Sequence, residues 1–355
     1  MTLDPLEAHV ESPAARRALP TDWIVGAVVV ALLVLAPFVL SEYRLSAQLT
    51  QALWLGIAAS SLIFLAGYGG MVSLGQVALY GIAAMVYANL VEADGGYDVA
   101  IDPWLAMVVA ILVTIAIGLL FGLVAARSEG IYFLMITLSF SVIVYFFFGA
   151  STNISGFGGV NQVTTPAVMD NPTTEPNGLY VVASVAAVLV FLLIRYIART
   201  PFGLTLQGIR DDPSRMRALG YNVVLHRTLA FGFGALIAGI AGILAVSWNT
   251  RIDPNSINLG QTIDLLVIAV IGGLLRLEGA WIGAVVFVLL ETETRGTDLI
   301  GERFNTVIGI IFLLVVLLSP GGLMGIYGLV KDRLVGGRRA APPPTSAAPA
   351  SETVT

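Results

Sequence analysis

Long apolar runs near residues 24–40, 49–67, 72–90, 103–125, 131–149, 179–197, 228–247, 262–275, 279–291 and 304–319 constrain this chain more than any other feature. Most approach the length of roughly 20 residues that a helix needs to cross about 30 Å of hydrocarbon. Backbone polar groups there must be satisfied within the segment, as a helix does. The expected fold is therefore an all-α membrane protein of about ten transmembrane helices. Composition agrees: hydrophobic residues make up 57% of the chain and charged residues 12%, with a mean hydropathy of +0.88. Ordinary soluble domains carry about 25% charged residues. The runs 262–275 and 279–291 are short and separated only by Arg276, Leu277 and Glu278. They form either two crossings or one re-entrant hairpin, and both return the chain to the side it left.

Basic residues orient the bundle. With the N-terminus in the cytoplasm, 14 of the 18 Arg and Lys residues fall on that side, all except Arg44, Arg251, Arg295 and Arg303. Short cytoplasmic loops carry such an excess. Residues 1–21 read as a cytoplasmic N-terminal segment, 22–335 as the membrane domain and 336–355 as a disordered low-complexity tail rich in Ala and Pro. The first apolar run follows Arg16 and Arg17 but is longer than a secretory signal core and lacks a small-residue cleavage site, so it reads as a helix. The external loops 91–102 and 151–178 are acidic or neutral and rich in Gly, Asn, Thr and Pro. They suit solvated connection or contact with an extracytoplasmic partner.

A polar island, residues 199–227, interrupts the apolar pattern with Arg199, Arg210, Arg215, Arg217, Arg227 and His226. Asp211 and Asp212 can accept from free helix N–H groups, Pro213 suits the first helical position and Gly220 suits the left-handed turn that ends a helix. The pattern predicts a short helix over 213–219, presented outside the bilayer as a docking surface for a soluble partner. A plain solvated loop is the competing reading.

Small residues at helical spacing, among them Gly56 and Ser60, Gly118 and Gly122, Ala235 and Gly239, and Gly279 and Gly283, predict close helix packing. Two glycine-interrupted stretches are sharper: GYGGMVSLGQVALYGIAA at 67–84 and IGGLLRLEGAWIGA at 271–284. Irregular backbone at membrane depth is tolerated only inside protein or along a cavity, and broken helices in both halves point to an inverted-repeat transporter. Within the runs, Asp264 reads as a helix cap and Arg195 as a snorkelling cation. So few buried ionisable groups argue against a proton-coupled carrier.

Enzymatic readings are poorly supported. Cysteine is absent, which removes disulfides, thiolate metal sites and thiol nucleophiles. Neither HExxH nor GxSxG occurs, and the lone lysine, Lys331, does not complete a phosphate-binding GxxxxGK loop. No catalytic, cofactor-binding or metal residue is assigned. If ATP powers transport, another subunit must bind it.

Three segments then carry a resemblance: SLGQVALYGIAA at 73–84, GIRDDPSRMRALGYNVVLHRTLAFGFGALIAGIAGIL at 208–244 and IDLLVIAVIGGLLRLEGAWIGAVV at 263–286. In order and spacing, from about residue 24 to 330, the chain resembles LivM-type permeases of branched-chain amino-acid ABC importers. Gln76 stands where that family usually has histidine, and Tyr80 where it usually has phenylalanine. The resemblance implies a type II ABC importer-like fold of ten helices in an inverted repeat, in a bacterial or archaeal cytoplasmic membrane. By motif position it implies an ATPase-coupling role for Arg210, Asp211, Asp212, Pro213, Arg215, Ala218 and Gly220. Ser73, Gly75, Gln76 and Gly81 are expected to line part of the translocation path. Expected partners are a second, LivH-type permease, two ABC ATPase subunits, an extracytoplasmic substrate-binding protein and membrane lipid, with no nucleic acid. Branched-chain or other hydrophobic amino acids are the expected substrates. The alternatives are urea or short amides, or a stand-alone channel or secondary carrier.

Overall fold

In the computed structural model, residues 45–97, 99–156, 158–169, 176–295, 304–318 and 321–325 are described. The expected first span 24–40, the N-terminal segment 1–21 and the tail 336–355 lie outside them. The described chain is helical almost throughout: α1 (Gln51–Gly69, entered through a π-helical turn Leu45–Thr50), α2 (Gln76–Leu90), α3 (Pro103–Ala125), α4 (Ile131–Ala150), α5 (Pro176–Arg199), α6 (Pro201–Asp211), α7 (Pro213–Ala218), α8 (Val223–Asn249), α9 (Leu259–Gly272), α10 (Leu277–Arg295) and α11 (Phe304–Leu318).

Helix α1 is the axis of the molecule, and every residue from Ala52 to Gly67 is buried. It is less apolar than α3, yet α3 keeps Leu112 and Leu120 exposed and α4 keeps Ile143 and Phe146 exposed. Hydrocarbon does not drive apolar helices together, so the position at the centre goes to a surface that permits close approach. Helix α1 supplies one through Gly56, Ala58, Ala59, Ser60 and Ser61. Its buried hydroxyls cost little, because Ser60 donates to Ile57 O at 2.7 Å and Ser61 to Ala58 O at 2.6 Å. The Gly118 and Gly122 pair of α3 works the same way, for a Cβ at either would run into Ala235 or Phe231 of α8.

Five of the described helices, α1, α3, α4, α5 and α8, are long and apolar enough to cross a membrane. Helices α9 and α10 add a sixth if taken as one broken span, since their axes turn by 117° at the break after Gly272. Two expectations are corrected in detail. The run 72–90 is not helical from its start: residues 70–75 are unwound, and α2 begins at Gln76. Asp264 does not cap its helix. That helix starts at Leu259, where Asn258 Oδ1 accepts from Gln261 N at 2.9 Å and leaves Asp264 in the second turn.

At the end of the bundle where α1 starts, the loops are knitted together. Val160–Asn161 (β1) and Arg251–Ile252 (β2) form a two-stranded antiparallel sheet with Val160 opposite Ile252, and Asp94 bridges to Asn161. Buried Asn89 donates to Ile154 O at 2.8 Å and accepts from Tyr97 N at 2.9 Å. The loops expected to be solvated connections or contacts for an extracytoplasmic partner thus also pair within the chain.

Candidate functional site

At the end of the bundle where α1 finishes, the polar island folds into a capped platform. Thr200 accepts from Gly203 N and Pro201 takes the first position of α6. Asp212 Oδ1 accepts from Ser214 N at 2.9 Å and Arg215 N at 3.0 Å, with Pro213 at the first position of α7. Asn222 caps α8 by accepting from Leu225 N. Helix α7 ends in a Schellman motif: Tyr221 N donates to Met216 O, Gly220 N donates to Arg217 O, and Gly220 has φ +90°. The expected short helix is present, ending one residue earlier at Ala218. Asp211 lies outside the cap. It closes α6 and pairs with Arg210 at 2.9 Å.

Helix α6 was not foreseen, although the sequence carries its signal. A Thr-Pro start precedes Gly203, Leu206 and Ile209 at helical spacing, and these three residues are buried. The outward surface of the platform carries Arg215, Ala218 and Gly220, together with the exposed apolar side chains Leu219, Tyr221 and Leu225.

The platform is tied to the bundle by charge-assisted contacts. Arg210, one of the residues expected to couple to the ATPase, contacts the bundle: Nη1 donates to Gly67 O, and its side chain lies where a Cβ on Gly70 would sit. It therefore joins α6 to the last turn of α1. Glu129, in the α3–α4 turn, accepts from Arg217 of α7 at 3.1 Å and from Arg227 of α8 at 3.0 Å through the same oxygen. The Arg227 side chain is 8% exposed. Glu129 is half exposed, so the cost of removing it is that the buried Arg227 guanidinium is left without its carboxylate. The importance of Glu129 was invisible in sequence, since nothing there links position 129 to 217 and 227.

Beside Gly67 the chain is unwound over residues 70–75, after Gly70 ends α1 in a left-handed conformation with φ +65°. Helix α4 satisfies the unwound backbone: Thr137 Oγ1 accepts from Leu74 N at 3.1 Å, and Ser141 Oγ donates to Leu74 O at 2.7 Å. Ser73, Gly75 and Gln76 come together here. Ser73 Oγ accepts from Gly75 N at 3.2 Å and from Gln76 Nε2 at 3.4 Å, while buried Gln76 Oε1 has no protein partner. Gly81 is apart from them, packed one turn along α2 against Ile257. These four residues face protein rather than an open space.

An open space exists toward the opposite end of α1, lined on that helix from Gln51 to Ala58. It is a cavity of about 450 Å³ between α1, α2, α8, α9 and α10. Trp54 stacks on Tyr80 at 5.9 Å and approaches Trp248 at 6.2 Å, and all three line it. Asp264 and Glu291 line it too, and Gln51 Nε2 donates to Glu291 Oε2 at 3.0 Å. Among the described residues no cluster of three or more His, Cys, Asp or Glu is placed to hold a metal ion.

Residues 44–316 match the family model described as branched-chain amino acid transport system / permease component. The chain is 26% identical to the high-affinity branched-chain amino acid transport system permease protein LivM of Salmonella typhimurium, covering 83% of this chain and 73% of that protein. It is 24% identical to the probable branched-chain amino acid transport permease protein LivM of Methanocaldococcus jannaschii, over 62% of this chain and 67% of that one. With the probable LivH permease of the same archaeon it shares 26% identity over 64% of this chain and 76% of that protein. No solved structure matches.

Proposed function

The chain belongs to the family of branched-chain amino acid transport system permease components, and from that membership we propose that it is the membrane subunit of an ATP-driven, binding-protein-dependent importer for branched-chain or other hydrophobic amino acids. It is a multi-pass membrane protein. In this reading it sits in a bacterial or archaeal cytoplasmic membrane, pairs with a LivH-type permease and contributes no catalytic group. Two partner ATPases bind the nucleotide, and an extracytoplasmic binding protein delivers the solute. The relatives named for branched-chain amino acids favour this over the urea reading.

The observation that carries the proposal is the linkage of the capped helix. Helix α7 offers Arg215, Ala218 and Gly220 outward, while α6 and α7 reach α1 through Arg210 and the α3–α4 turn through Glu129. When the ATPases close on ATP, a displaced α7 carries these links with it and biases the bundle between outward and inward access. The unwound segment 70–75, touched by Arg210, is the element proposed to respond, with Ser73, Gly75, Gln76 and Gly81 near the path. The breaks after Gly69 and Gly272 support the ten-helix inverted repeat as the complete architecture.

Gly220→Val tests the linkage. No atom stands within 4 Å of a Cβ at Gly220, so the penalty is confined to forcing a β-branched residue to φ +90°. In the assembled importer, uptake of labelled leucine should fall about tenfold, the rate equivalent of ~1.4 kcal/mol of strain, while ATP hydrolysis and binding-protein affinity persist. Wild-type uptake in this variant, or uptake by the purified chain without ATPases, defeats the proposal.

A further inference from the structure

One uncovered face of α5 ends in positive charge that the chain itself does not answer. Val181, Val185, Leu189, Leu192 and Tyr196 recur every three or four residues and are all exposed, so an apolar stripe runs along most of the helix. Arg195 and Arg199 stand in its last turns, at the end of the bundle where α1 finishes. The α9–α10 turn reaches the same corner: Arg195 Nη1 lies 3.9 Å from Glu278 Oε1, two residues past Arg276. Tyr68, in the last turn of α1, is within electrostatic reach of Arg195, Arg199 and Glu278. Glu278 answers Arg195, whose guanidinium also lies 5.5 Å from the Phe191 ring centre. Arg199 and Arg276 are exposed and enter no ion pair among the described residues.

A second feature says what covers this corner. Leu275, next to Arg276, is 75% exposed, the most of any large apolar side chain among the described residues, and Tyr196 is 69% exposed. Free arginines suit water and bare Leu and Tyr suit hydrocarbon, so the two together at a helix end suit the boundary between them. A phospholipid is layered in the same way, with a phosphate above acyl chains. The guanidinium fork matches phosphate oxygens, and the cytoplasmic leaflet carries the anionic lipid.

We infer that the corner between the end of α5 and the α9–α10 turn holds an anionic phospholipid of the cytoplasmic leaflet. Arg199 and Arg276 donate to its phosphate, Tyr196 and Leu275 pack beneath the headgroup, and the exposed stripe of α5 carries an acyl chain. The lipid thereby bridges two elements whose direct ion pair, Arg195 with Glu278, is long and partly exposed. Occupancy stabilises the turn between α9 and α10 by mass action. The inference needs the chain to span a membrane and is independent of the solute it carries.

The test titrates the purified full chain in neutral detergent with phosphatidylglycerol or phosphatidylcholine, counts retained lipid by native mass spectrometry and follows thermal unfolding. Phosphatidylglycerol should be retained saturably and raise the unfolding midpoint, whereas phosphatidylcholine and free glycerol phosphate should do neither. Arg199→Gln and Arg276→Gln should each weaken retention about fivefold, as loss of one basic residue near an anionic surface does, and together they should abolish the preference for phosphatidylglycerol. Arg127→Gln removes another exposed cation from the same end of the bundle and should leave retention unchanged. In the unaltered chain, salt at about 1 M should erase the preference, because the arginines are exposed. Equal losses in Arg127→Gln mean diffuse attraction and overturn the site, as does a preference that survives the double substitution or high salt. Repeating the titration after assembly with the second permease tests the other occupant: a preference lost on assembly gives this face to protein and overturns the lipid.

Discussion

The two breaks in this bundle lie close together near the end of α1, since a Cβ on Gly67 would touch Leu274 O, yet they are built in different ways. The break over 70–75 borrows side chains: Thr137 and Ser141 of α4 satisfy the Leu74 N–H and C=O, and Arg210 reaches the last turn of α1. The break after Gly272 is built by backbone approach. A Cβ on Gly272 would strike Gly279 O, and one on Gly273, at φ +119°, would strike Gly321 O. Hydroxyl groups can exchange partners when a helix shifts, but glycine contacts this close leave no slack. The first break is suited to move with the platform, and the second to hold the turn between α9 and α10.

The comparison is most severely tested at Gly273. Valine there meets both a positive φ and a neighbouring carbonyl, so a stability loss of about 3 kcal/mol or more is expected. Size-exclusion profiles in detergent should show little monodisperse protein. A well-folded Gly273→Val variant breaks the description of the second break as rigid.

Thr137→Val comes next. The shape is kept but the acceptor for buried Leu74 N is lost, which should cost about 1–3 kcal/mol in thermal unfolding. Adding Ser141→Ala should give a non-additive total, because both hydroxyls serve one residue.

Arg210→Ala separates stability from coupling. About 1 kcal/mol of stability is at stake, the worth of a partly exposed bond to a carbonyl. Leucine uptake per ATP hydrolysed should nevertheless drop severalfold, and unchanged stoichiometry removes the first break from the coupling route.

The smallest effect is expected at the second break. Arg195 lies 3.9 Å from Glu278, with side chains 33% and 43% exposed. Arg195→Ala should change stability by about 0.5 kcal/mol or less and leave uptake per ATP unaltered. A coupling defect there equal to that of Arg210→Ala erases the distinction between the two breaks.

Much of the fold was legible because its signals are local. The runs 103–125 and 131–149 coincide with α3 and α4 almost residue for residue, since apolar length sets a membrane helix. Asp212, Pro213 and Gly220 announced α7 because capping and positive φ depend on neighbours in sequence. The unwinding before Gln76 was hinted at by glycines, but its extent was not, because the hydroxyls that make it tolerable come from α4. The coupling assignment for Arg210 illustrates the same limit. Its motif position placed it in the polar island, while its contact with Gly67 depends on how α6 lies across α1.

The amino-acid sequence by itself determined that this protein is a bundle of membrane helices, that α7 is capped by Asp212 and ended at Gly220, and that a polar island interrupts the apolar runs. Hydrophobic length, cap chemistry and glycine backbone freedom are properties of short stretches, and they act before any helix meets another. Only the tertiary structure decided that α1 is the axis, that Glu129 ties α7 to α8, and that Trp54, Tyr80, Trp248, Asp264 and Glu291 surround one cavity. These residues lie up to 237 positions apart, from 54 to 291, and only packing between helices brings them together.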